Sequence, residues 1–182
     1  MTENLNSSYE VDNKNLISTN NFRFQIKRLP TTNYFCQEVN VPGLSVNSIR
    51  LDNQVSRILL GGKKLEYNQL QVTFKVDEDM KNWEELFNWI VGISSPQDTD
   101  QYTNLVNSRV DKFSFGKDQH NIYSDGSVFL LTNTKNVNMV MNFINLQPVS
   151  LSDIQMTTTD NSELSSTAIF DYDYFELERR LN

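Results

Sequence analysis

The chain has 182 residues and a formal net charge of −7, from 23 acidic against 16 basic side chains. That length suits one domain with a core that needs no staples, and the negative balance argues against tight binding of a phosphate backbone, which needs a basic face. One cysteine, Cys36, excludes an intrachain disulfide, and one histidine, His120, excludes a histidine-based metal cluster within the chain.

No apolar run approaches the ~20 residues needed to span a bilayer. The first residues have neither the basic start nor the apolar core of a signal peptide. The expectation is a soluble product of a reducing compartment that binds no membrane.

Residues 1–20, MTENLNSSYEVDNKNLISTN, are polar with scattered apolar side chains. They are expected to form a flexible arm, or one that orders on a neighbouring subunit. A single domain then runs over 21–182. Phe22, Phe24 and Ile26 alternate with polar residues and predict a strand with one buried face. Leu29–Asn33 predicts a turn. Tyr34–Val41 predicts a second strand closed by Pro42-Gly43, with Cys36 on its minor face and no base beside it in sequence.

Residues 44–68 exceed an ordinary connection, whose median is about 4–6 residues. Ile49, Leu51, Val55, Ile58, Leu59 and Leu60 are spread through them, and a long hairpin or extended loop is expected. Gly61-Gly62-Lys63-Lys64 lacks the spacing and the Ser/Thr of a phosphate loop. Leu70, Val72, Phe74 and Val76 give the cleanest alternation in the chain.

A helix is expected over about 77–92. Met80, Trp83, Leu86, Phe87, Ile90 and Val91 fall at three- and four-residue steps and form its candidate core stripe against the sheet. Asp77 or Asp79 would cap it, and Gly92 and Pro96 would stop it. Trp89 falls roughly opposite the stripe, as an interface residue or packed under a loop. A polar insert follows at about 94–136. It carries a helical turn at Tyr102–Val106, a short strand at Val110–Phe115, a loop Gly116–Gly126 holding His120, and a strand Ser127–Leu131. A strand over Met139–Ile144 is expected to break at Gln147–Ser152. A last strand over about Ser165–Phe175 puts Ala168, Phe170, Tyr172 and Tyr174 on one face. The plan is α+β and mainly antiparallel: a β-sandwich or partly closed barrel with one packed amphipathic helix.

The pairs Asp77/Asp79 and Asp171/Asp173 read more simply as a helix start and a solvated strand face than as metal ligands. No nucleophile elbow, Cys-x-x-Cys, His-Glu-x-x-His or dinucleotide fingerprint occurs. The expectation is a non-enzyme without cofactor or metal.

The order of pieces carries a resemblance. NFRFQIKRLP, YFCQEVNVPGL, the apolar-beaded excursion, LQVTFKVDED, WEELFNWIVGI and the closing VSLSDIQMTTTDNSELSSTAIFDYDYFEL together resemble the tail-tube family of contractile-tailed bacteriophages over roughly Asn21–Leu177. The family includes tube, tube-initiator and terminal-ring relatives. The resemblance implies a structural virion protein, made in the host cytoplasm, whose copies form hexameric rings stacked into a hollow tube. Its partners would be copies of itself and sheath, baseplate or neck proteins, with genomic DNA passing through and not specifically bound. It also implies a hairpin that reaches an adjacent ring or subunit, for which Leu44–Asn68 is the candidate. Ile49, Leu51, Val55, Ile58, Leu59, Leu60 and Trp89 are then candidate interface residues. The longer arm and the polar insert depart from a repeated tube subunit, so a baseplate tube initiator or a completion or terminator ring stands beside it. The competing class is a monomeric β-rich receptor- or glycan-binding module. A filter-binding titration with duplex DNA at physiological salt is expected to give no submicromolar affinity; a tight complex with a steep salt slope would overturn that reading.

Overall fold

The computed structural model describes residues 14–52, 57–62, 64–94, 98–107, 122–159 and 161–180. In chain order the elements are β1 (Phe22–Ile26), α1 (Pro30–Phe35), β2 (Cys36–Val39), β3 (Leu44–Val46), β4 (Ile49–Asp52), β5 (Arg57–Leu60), β6 (Leu65–Tyr67) and β7 (Leu70–Lys75). They continue with α2 (Lys81–Ser94), α3 (Thr99–Asn107), β8 (Ser124–Leu131), β9 (Val137–Leu151), β10 (Ser165–Asp171) and β11 (Tyr174–Arg179).

Alternation builds the sheet. Leu70, Val72 and Phe74 of β7 are buried, while Gln71, Thr73 and Lys75 between them are not. The same logic buries Phe24 and Ile26 of β1, and Ala168 and Phe170 of β10. Seven strands form one antiparallel sheet in the order β1-β8-β9-β10-β7-β2, with β11 also paired to β9. The expected mainly antiparallel plan stands, as one sheet whose end strands do not pair with each other among the described residues, so no barrel closes there. β1 and β2 are its two ends, and each pairs with one neighbour only among the described residues.

Three helices occur among the described residues, not one. α1 replaces the expected turn at Leu29–Asn33 and the start of the expected strand. Pro30 opens it, where a missing N–H is harmless. Asn33 then clamps the end of β1: its side chain accepts from the Ile26 N–H at 2.7 Å and donates to the Ile26 C=O at 2.9 Å. α3 occupies the site of the expected helical turn, and both α3 and β8 fall within the polar insert. Val55, Pro96, Val110–Phe115 and His120 lie outside the described residues. Of the expected loop Gly116–Gly126, the last residues are already part of β8.

β9 is a correction of another kind. It runs unbroken through Gln147–Ser150, where a break is expected. It changes partners instead: up to Leu146 it pairs with β8, and from Gln147 to Leu151 with β10. Pro148 falls at a register shift in the β10 ladder, the kind of irregular position where a missing donor is tolerated. The expected last strand is split at Tyr172–Asp173 into β10 and β11, so Tyr174 ends up exposed and off the Phe170 face.

α2 begins four residues later than expected, after Met80, whose φ is 56°. Asp77 still caps it from outside, with Oδ1 accepting from the Asn82 N–H at 3.2 Å. Asn82, Leu86 and Trp89 are the buried face, and Ile93 packs against the same core. That face is turned by roughly one residue step, about 100°, from the expected stripe. Of the expected core residues, Leu86 is fully buried, Trp83, Ile90 and Val91 are half-buried, and Phe87 is 45% exposed. Half-buried Met80 precedes the helix. Trp89 is the opposite correction: it is 2% exposed and belongs to the subunit's own core, not to an interface. Its Nε1 donates to the Ile122 C=O at 2.8 Å, its ring packs 6.2 Å from Phe170, and the Arg28 guanidinium lies 5.3 Å over it. Gly92 does not end the helix. It lies within α2 where α3 crosses, and an added Cβ would come within 2.9 Å of Leu105.

Leu86 and Phe87 are neighbours in sequence with opposite fates. Leu86→Ala is expected to cost about 2–5 kcal/mol of folding free energy, and Phe87→Ala clearly less. Urea unfolding of the two variants measures the difference.

Candidate subunit interface

The excursion between β2 and β7 is a two-tier hairpin. Its base is β3 paired with β6, and its outer tier is β4 paired with β5. Neither tier joins the main sheet. In the base, Leu44 lies opposite Tyr67 and Val46 opposite Leu65, so these four share one face of the ribbon. Ser45 and Glu66 pair on the other face, where Asn47 Nδ2 donates to Glu66 Oε1 at 2.8 Å. Leu44 and Val46 are each 55% exposed and Leu65 is 46% exposed. One face of the ribbon is thus apolar and bare.

The inner end of that face is fixed to the sheet. Tyr67 packs edge-on against Tyr172 and Phe175 at 5.8 and 5.6 Å, and Phe143 completes the cluster. The Tyr172 hydroxyl donates to the Asn68 C=O at 2.7 Å, while burial pushes its pKa up to about 12. Asn68 N–H closes the base by donating to the Gly43 C=O at 3.0 Å. Where the two tiers meet, Gly62 lies against the Asn47 carbonyl so closely that any Cβ would collide with it.

The residues expected at an interface therefore separate. Ile49, Leu51, Ile58, Leu59 and Leu60 all lie in the outer tier, where Ile49 pairs with Leu60, Leu51 with Ile58 and Arg50 with Leu59. Val55 lies outside the described residues, and Trp89 is in the core. Sequence reading missed Leu44, Val46, Leu65 and Tyr67. Their signal was present as two short alternations, Leu-Ser-Val and Leu-Glu-Tyr, each too short to stand out alone.

Elsewhere, the Cys36 thiol is pushed up to about 12 by burial, which removes the thiolate a nucleophile needs. Among the described residues no group of three His, Cys, Asp or Glu side chains is placed to hold a metal, and no helix is long and apolar enough to cross a membrane.

The fold is an antiparallel sheet with helices packed on it and a projecting ribbon that carries an exposed apolar face. The profile of the phage tail tube protein family matches residues 5–178, and the chain belongs to that family, a structural one. It is 28% identical over 174 residues to the tail tube terminator protein of Enterobacteria phage T4, covering 91% of this chain and 90% of that one. Its fold is also that of the tube-terminating cap of the anti-feeding prophage, with a TM-score of 0.61 at 12% identity over 97% of this chain and 99% of the cap chain. A chain of the sheath–tube complex of an extracellular contractile injection system in its extended state gives a TM-score of 0.58 at 14% identity over 92% and 94% of the two chains.

The bare face of the ribbon can be tested directly. Val46→Asp with Leu65→Asp is expected to leave the monomer folded by circular dichroism and to abolish self-association in sedimentation velocity, because both charges would be desolvated without partners at a packed contact. Loss of the folded monomer would show that the ribbon belongs to the core.

Proposed function

We propose that the chain forms a closed homo-oligomeric ring at the end of a phage tail tube, through which genomic DNA passes. The observation that carries the position is the match to the T4 tail tube terminator, which spans nearly the whole of both chains. The projecting hairpin supports the ring: its bare apolar face suits a head-to-tail contact, and head-to-tail contacts repeated by rotation close into rings. The formal charge of −7 supports free passage, since an acidic protein repels the DNA backbone. In the virion the ring would adjoin tube and sheath proteins at the tube's end. No catalytic step belongs to this role.

A repeated tube subunit would polymerise, whereas a terminal ring stops growth. Negative-stain electron microscopy of the purified protein is expected to show discrete sixfold rings and no long tubes. Rings added to pre-formed tube ends would block further extension. Long tubes formed by the protein alone would make it a tube subunit, and a persistent monomer that binds glycans would make it a binding module.

A further inference from the structure

Among the described residues, the groove between β1 and β2 has unused backbone on both sides. Lys27 N–H donates to the Asp125 C=O and Leu131 N–H to the Asn21 C=O, so the odd-numbered residues of β1 face β8. The even-numbered residues present their N–H and C=O groups to the other edge. At Ile26 both groups are taken by Asn33. Phe24 and Phe22 repeat that edge with no such partner among the described residues. Across the groove β2 pairs, among the described residues, with β7 alone, and Asn40 N–H donates to the Gln71 C=O, which turns Val39 outward. The groove holds about 1040 Å³ and is lined by Phe22, Val39, Val41 and Leu130, among others. Bare edges of this kind are templates for an added strand.

The chain itself contains a matching segment. Read at a period of two, Leu5, Ser7, Tyr9 and Val11 share one side, and Asn6, Ser8, Glu10 and Asp12 share the other, the pattern of a strand with one buried face. Ile17–Asn21 line one rim of the groove, and ahead of them the arm turns off toward the β8–β9 turn. Asn21 N–H donates to the Ser18 C=O in a turn, and Asn133 Nδ2 donates to the Leu16 C=O, so the chain crosses the β8–β9 turn. An extended chain covers about 3.3 Å per residue, so the segment ahead of Lys14 can reach roughly 40 Å, far enough to meet another subunit.

We propose that Leu5–Val11 of an adjoining copy adds as a strand in the β1–β2 groove. This rests on the ring reading above. Each subunit would then give one strand and receive one, and the sheet end that the fold leaves open would be filled by its neighbour.

Cysteine cross-linking tests it. In a Cys36→Ser background, Gln37→Cys marks the exposed groove wall and Ser7→Cys marks the arm. Copper–phenanthroline oxidation of the assembled full-length double variant is expected to give a covalent ladder beyond the dimer on a non-reducing gel, which neither single-cysteine variant can give. Rings without a ladder would overturn the strand insertion and leave the ring reading standing. A shifted monomer band alone would place each arm in its own groove and overturn insertion from a neighbour. A monomer by sedimentation, with no ladder, would sink both readings. As a second measurement, Phe22→Pro removes an outward N–H without touching the β8 ladder. It is expected to raise the protein concentration needed for assembly by about tenfold, and unchanged assembly would count against the insertion.

Discussion

A buried amide has to find partners, and in this subunit that requirement sets the helix. Asn82 is fully buried at the start of α2. Its Nδ2 donates to the Lys75 C=O at 2.7 Å, at the end of β7, and its own N–H reaches the Asp77 carboxylate. The Thr32 hydroxyl of α1 donates to its C=O. Leaving such groups unpaired would cost about 1–3 kcal/mol each, so only one rotation of α2 is cheap. With Asn82 inward, Leu86 and Trp89 must follow at helical spacing. Trp89 then needs an acceptor, which Ile122 supplies, and Gly92 turns toward α3. The end of β7, α1, α2 and, through Trp89 and Gly92, the entry to β8 and α3 are all placed around this one residue.

That side chain also explains what could be read from the sequence and what could not. Strands with one buried face were legible where alternation ran for five residues or more, as in β1 and β7, because burial on a pleated surface has a fixed period. The helix was legible as a helix, but its rotation was not. Trp83, Leu86, Phe87, Trp89, Ile90 and Val91 are apolar on several sides, and the choice among them was made by an asparagine that a hydrophobic count scores as surface. The stacking of Phe87 on Trp83, 5.3 Å apart, is what remains of the stripe on the outer side.

The strand errors have a common origin. Pro148 reads as a stop because proline cannot donate to a ladder, but at the point where β9 exchanges β8 for β10 a donor is expendable. Tyr172–Asp173 reads as mid-strand because its alternation continues, yet the chain turns a corner there and Asp173 N–H donates to the Ile144 C=O. Partner exchange is a property of the whole sheet and leaves little trace in local pattern. The layout of pieces survived these local errors, which is why the tail-tube resemblance could be seen in a chain with no signature motif.

The pairing of β1 with β8 joins the first strand to one that follows about a hundred residues later. On the ribosome, Phe24 and Ile26 therefore wait uncovered while the hairpin, β7, α2 and α3 are synthesised. β7 waits in turn for β10, which emerges still later. Little of this sheet can form before most of the chain is made, so folding is close to post-translational and its early nascent forms carry open apolar strands.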